Sequence, residues 1–150
     1  MQPKIKSLNH GTIRQLHKWH RSPRPKWTHQ NILRCAMVRA YAELEDQRLI
    51  MLSEATVTDD WDDLAPDLVI FNEAYEPLSI IEITTHKECR AIIRKCHELI
   101  ARFPEAEYFV YDYEKQILYA FDNSDGEWVS SLEYEITSRY LDCPLIEYLS

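Results

Sequence analysis

The sequence predicts an α/β domain, a mixed central sheet flanked by helices on both faces. Three observations predict it. The chain reads as helix, three strands, helix, two strands, an order that layers helices on a sheet. The third strand, Leu78 to Thr84, has almost no polar residue except Glu82, as expected of a central strand covered on both sides. The segment Lys87 to Phe103 carries Ile92, Cys96, Leu99, Ile100 and Phe103 on one stripe, so a helix joins the third strand to the fourth as a crossover.

Each element follows from local chemistry. Residues 1–27 read as an irregular, basic N-terminal arm with a short helix over Thr12 to His20, because Pro23 and Pro25 interrupt any longer one. Trp19 and Trp27 predict that part of this arm packs on the body. Residues 28–150 are expected to form a single domain. Thr28 is the expected N-cap of a first core helix over His29 to Asp46, with Ile32, Cys35, Ala36, Val38, Ala42 and Leu44 as its apolar face. Arg48 to Thr58 reads as the first strand, followed by the acidic connection Asp59-Asp60-Trp61-Asp62-Asp63. Leu68 to Phe71 is the second strand, and Asn72 to Pro77 turns the chain into the third. Pro104 stops the helix that follows. Tyr108 to Tyr111 and Gln116 to Phe121 form two strands joined by a tight turn. Short edge strands are expected near Trp128-Val129 and Tyr134-Glu135-Ile136, with a last helical turn after Pro144.

Composition narrows the function classes. At 150 residues and 45% apolar content the chain can bury one real core and is short for two. No apolar run reaches the roughly 20 residues of a membrane span, and the amino terminus lacks a signal-peptide core, so the expected location is the cytoplasm. Two glycines, Gly11 and Gly126, cannot build a phosphate-cradling loop. Cys35, Cys89, Cys96 and Cys143 show no metal or disulfide spacing and read as free thiols.

The net charge of −8 hides a division. Residues 1–40 hold nine Lys and Arg and no Asp or Glu, while the remainder holds eight basic and 25 acidic residues. Lys18, Arg21, Arg24 and Lys26 on the arm are candidate contacts to a nucleic-acid backbone. The alternative is docking of the arm on an acidic body, its own or a partner's.

The chemistry concentrates between Pro66 and Lys95. Asp67 begins one strand and Glu82 lies towards the end of the next; paired as neighbours, the two strands bring both carboxylates to one end of the sheet. Mg²⁺ or Mn²⁺ takes one or two such carboxylates and keeps water and substrate phosphate for the rest. The main-chain carbonyl of Ile83 stands beside them as a further metal ligand. Lys95 lies at the border of the apolar stripe on the helical wheel, from which its ammonium can reach over the site; Lys87, at the helix start, is the second candidate. Each has a structural alternative: Asp67 can cap a turn, and Lys95 can be an ordinary snorkelling lysine. Glu82 is the hardest to explain without a site, because a carboxylate in an apolar strand is costly unless paired. Glu54, Glu43 and Glu45 are further carboxylates in range, His29 reads as a hydrogen-bonding group at the helix start, and His17 and His20 as a solvated helix face.

Pro66-Asp67 followed by Glu82-Ile83-Thr84 resembles the PD-(D/E)XK nuclease superfamily, with Thr84 where its lysine usually stands. Ile81-Glu82-Ile83-Thr84, Lys95, then Glu107-Tyr108-Phe109-Val110-Tyr111-Asp112, with Thr28-His29-Gln30-Asn31-Ile32 upstream, is similar to the Uma-type restriction endonuclease family, in which the lysine moves from the strand to the following helix. The resemblance spans about residues 28–122 and implies a restriction endonuclease-like core, a Mg²⁺- or Mn²⁺-dependent endonuclease acting on DNA, Asp67 and Glu82 as metal ligands, and Lys95 as the catalytic lysine. It departs from the pattern at Thr85-His86, where the family has Ser-Pro, and at Leu99, where it has tyrosine. Cutting two strands also implies a homodimer. The alternatives are a catalytically inactive interaction module on the same fold and a nuclease acting on RNA.

Overall fold

The computed structural model of the chain describes residues 25–54 and 65–150. The expected arm helix, His17, His20, Lys18, Arg21, Arg24 and the acidic connection therefore lie outside the described residues, as does the side chain of Lys26.

Helix α1 spans Pro25–Asp46, which moves the expected start at Thr28 back by several residues. Proline is suited to the first turn, where its missing amide would have had no partner and its φ is already helical. Thr28 thus lies inside the helix. The buried face of α1 is Leu33, Ala36, Ala40 and Leu44, a run of i, i+3, i+7 and i+11 that keeps one side of a helix. Val38, expected on that face, is 71% exposed, because it stands two residues from both Ala36 and Ala40 and so points away.

Six strands follow, β1 (Ile50–Ser53), β2 (Leu68–Phe71), β3 (Pro77–Thr84), β4 (Glu107–Asp112), β5 (Ile117–Asp122) and β6 (Glu127–Ser130), and they lie side by side in that order. Neighbours are antiparallel except β3 and β4, which are joined through helix α2 (Cys89–Arg102). A parallel pair needs such a crossover, whereas antiparallel neighbours such as β2 and β3 can be joined by a short turn. The strand expected at Tyr134 to Ile136 is not formed. Amides of Glu133 and Tyr134 bond the carbonyl of Ser130 and turn the chain away from β6, and an isolated bridge between Thr137 and Pro144 takes the strand's place. Helix α3 (Ile146–Leu149) ends the chain.

Alternation along the strands assigns the faces. Leu68, Ile70, Ile81, Ile83, Phe109 and Tyr111 pack with Leu33, Ala36, Ala40 and Leu44 of α1. Val69, Phe71, Ile80 and Tyr108 pack with Leu99 of α2, and Val110 with its Cys89 and Cys96. β3 is buried from Ser79 to Thr84, as its apolar sequence predicted. Among the described residues no helix is long and apolar enough to cross a membrane. All four cysteines are free.

The carboxyl-terminal segment is tied to α1 by polar contacts. Arg39 Nη1 donates to the carbonyls of Glu147 and Ser150, and Glu43 accepts from the amide of Asp142 and from the Tyr148 hydroxyl, 2.6 Å from Oε2. Tyr148→Phe removes a hydrogen bond to a carboxylate while keeping the buried ring, so a loss of about 1 to 2 kcal/mol is expected in urea unfolding. Equal midpoints for the two proteins would show that the contact adds nothing.

Candidate active site

The site is built from four elements. β2 and β3 run antiparallel with Leu68 opposite Ile81, so Asp67, one step before β2, comes opposite Glu82. Hydrogen bonds tie the two strand ends together: the Asp67 amide donates to Glu82 Oε1 at 3.2 Å, and the amide of Ile83, the residue after Glu82, donates to Asp67 Oδ2 at 2.7 Å. Lys95 rises from α2, and its Nζ lies 2.9 Å from Glu82 Oε2. From the opposite layer, His29 on α1 places Nε2 3.0 Å from Asp67 Oδ1. Helix, strand end, strand and helix thus converge on two carboxylates.

Burial sets the electrostatics. Glu82 is 1% exposed, and desolvation, reinforced by the Asp67 charge and only partly offset by Lys95, pushes its carboxyl up to about 7. Oε2 is buried and its one close polar neighbour among the described residues is the Lys95 ammonium. That ion pair lowers the carboxyl through its charge and hydrogen bond but does not offset the cost of burial. Beneath it Cys96 is fully buried, and burial next to Glu82 pushes its thiol up to about 12, an inert thiol. Burial lowers the His29 imidazole, but the hydrogen bond and charge of Asp67, with Glu54 and Glu82, outweigh this and leave it above its ordinary value.

The other expected residues are distributed as follows. Ile83 gives its side chain to the core and its amide to Asp67. Lys87 is exposed in the turn before α2 and makes no ion pair with either carboxylate among the described residues. Glu54 bonds the Asp67 carbonyl through its amide and contributes to the potential at His29. Glu43 and Glu45 are engaged elsewhere, with Tyr148 and Tyr41. His29 joins the site through Asp67, a role its position at a helix start did not convey. A groove of about 530 Å³ lined by Leu118, Tyr134, Ile136 and Ile146 holds none of these residues.

Could this set hold a cation? Among the described residues no three His, Cys, Asp or Glu side chains are arranged as a metal-binding group. A hard divalent ion does not need one. Two adjacent carboxylates, one of them buried with a single lysine as counter-charge to its inner oxygen, fit Mg²⁺ or Mn²⁺ that takes its other ligands from water and substrate.

Comparison with known proteins bears on the fold. A solved structure from Anabaena variabilis, described as "a putative nuclease belonging to DUF820", superposes with a TM-score of 0.61 over 82% of this chain and 82% of that one, at 16% sequence identity. The fold is restriction endonuclease-like. No family model matches the sequence, nor does any curated protein. In this restriction endonuclease-like core the carboxylates stand at the end of an antiparallel pair, and the lysine reaches them from the helix behind.

Proposed function

We propose that this chain is a metal-dependent endonuclease that hydrolyses phosphodiester bonds in DNA. The observation that carries the reading is the buried Glu82, opposite Asp67 and 2.9 Å from Lys95. A carboxylate held in its charged form only with difficulty is one that a cation relieves. Asp67 and Glu82, with the carbonyl of Ile83, hold Mg²⁺ or Mn²⁺, which when bound polarises the phosphate and acidifies a water. Lys95 orients the water and offsets charge on the phosphate. His29 fixes the Asp67 carboxylate by occupying Oδ1. Lys18, Arg21, Arg24 and Lys26 contact the DNA backbone and contribute affinity without sequence readout. The likeness to a protein described as a nuclease supports this assignment at the level of the fold.

Calorimetric titration with Mn²⁺ tests the centre apart from turnover. The natural chain is expected to bind Mn²⁺ and Glu82→Ala to show no heat, with the circular dichroism of the two unchanged. An inactive module on a nuclease fold gives no Glu82-dependent binding. Parallel cleavage assays on single-stranded DNA, duplex DNA and RNA separate the DNA reading from an RNA one.

A further inference from the structure

His86 stands in the turn between β3 and α2 with its side chain 58% exposed, yet its Nδ1 lies 2.6 Å from Oδ2 of Asp112, whose side chain is fully buried. Asp112 ends β4 opposite Thr84, the last residue of β3. Its Oδ1 accepts the amides of Glu114 and Lys115, which closes the turn into β5. One oxygen therefore satisfies the turn, and the other is given to a ring that water alone could have solvated. The backbone of His86 is held as well, since its amide donates to Glu114 Oε1 at 2.9 Å. Two anchors fix the imidazole. A carboxylate only accepts, so Nδ1 carries the proton, and Nε2 becomes the outward atom, with no hydrogen-bond partner among the described residues.

The position of this pair follows from the strand register. Val110 lies opposite Glu82, and Asp112 is two residues further along the same face, towards the carboxyl ends of β3 and β4. At about 3.3 Å per residue that is roughly 7 Å beyond the carboxylates. Successive charges on one DNA strand advance about 3.4 Å along the helix axis. A strand whose scissile phosphate sits at Glu82 and that runs on past the carboxyl ends of β3 and β4 brings a flanking phosphate, within a couple of nucleotides, near His86. With a second proton on Nε2 the ring is a charge-assisted donor to that phosphate, its own charge offset by the buried Asp112. Lys87, the next residue, is exposed beside it.

We infer that His86, held by Asp112, binds a phosphate flanking the scissile one on the strand that is cut. The inference rests on the nuclease reading above and adds a substrate contact outside the metal centre. It is tested with duplexes carrying one neutral methylphosphonate at successive positions along the cleaved strand, measuring kcat and KM with Mn²⁺ at pH 6. For the natural chain, one flanking position is expected to raise KM about tenfold when neutralised. His86→Gln should show that raised KM on fully charged DNA, an unchanged kcat, and no further loss at that position; His86→Lys, which restores the cation, should recover both. If His86→Gln cleaves with the natural chain's profile, or loses only thermal stability, the contact is disproved and the nuclease reading stands. If the natural chain cleaves no duplex at all, the nuclease reading fails and takes this contact with it.

Discussion

At pH 8 and without metal, Glu82→Gln is expected to be more stable than the natural chain by about 3 kcal/mol, and to cleave no DNA. The stability arm follows from linkage. The carboxyl of Glu82 is raised from 4.5 to about 7 in the folded protein, so the fold binds its proton more tightly than the unfolded chain does. Its contribution is complete below pH 4.5 and is lost as pH rises through about 7; a shift of this size corresponds to about 3 kcal/mol. Glutamine keeps the shape and an acceptor for the Asp67 amide but never ionises, so the variant escapes that loss. Lys95, partly exposed, can turn its ammonium to water. The two proteins should therefore unfold at the same denaturant concentration near pH 4.5 and diverge as pH rises, a comparison made by urea titration at several pH values. Adding Mn²⁺ should raise the midpoint of the natural chain and leave that of Glu82→Gln unmoved, because only the former keeps the proposed site that folding completes. The activity arm is the larger effect: removal of the carboxylate proposed to hold the metal is expected to lower cleavage by at least about a thousandfold. A variant that is less stable at pH 8, or that still cuts, contradicts a cation-binding role for Glu82.

Much of this arrangement is legible in the sequence because it is local or periodic. β2 and β3 are short apolar runs separated by a turn, so their antiparallel pairing, and hence the meeting of Asp67 with Glu82, follows from spacing. The border position of Lys95 follows from the 3.6-residue period of α2. What stays hidden depends on tertiary contact. His29 reaches Asp67 across 38 positions of sequence, and although the run Thr28 to Ile32 matches the family pattern, nothing in it names Asp67 as the partner. The start of α1 is hidden for another reason: Pro23 and Pro25 look like breakers, whereas Pro25 occupies the one turn where proline is favourable. The register of the α1 face depends on which residues the sheet covers, and the pattern alone did not separate Val38 from Ala40. Asp112 and His86 were visible only as pieces of a motif and a departure from it; their hydrogen bond joins the ends of two parallel strands, which neither segment announces.

Lys95→Met is expected to separate binding from catalysis. In the metal-free protein Lys95 is the cation against Glu82 Oε2, and it lowers a carboxyl that burial and Asp67 raise. Methionine keeps an apolar stem of similar length but leaves Glu82 without its counter-charge, so the carboxyl titrates higher still. An incoming divalent ion meets one positive charge fewer, and at a pH where Glu82 is ionised its affinity should be retained or increased. Cleavage should nevertheless fall by roughly two to four orders of magnitude, since the group proposed to orient the water and offset phosphate charge is gone. A lysine that merely lies along the surface predicts the reverse, with turnover intact and a small change in stability. Lys87→Met is the matched comparison, because Lys87 is exposed in the turn before α2 and makes no ion pair with either carboxylate among the described residues; it should change turnover by no more than a few-fold. If Lys87→Met abolishes cleavage while Lys95→Met preserves it, the catalytic lysine is at the start of the helix, and the charge pair at Glu82 serves only to make a buried carboxylate tolerable until metal arrives.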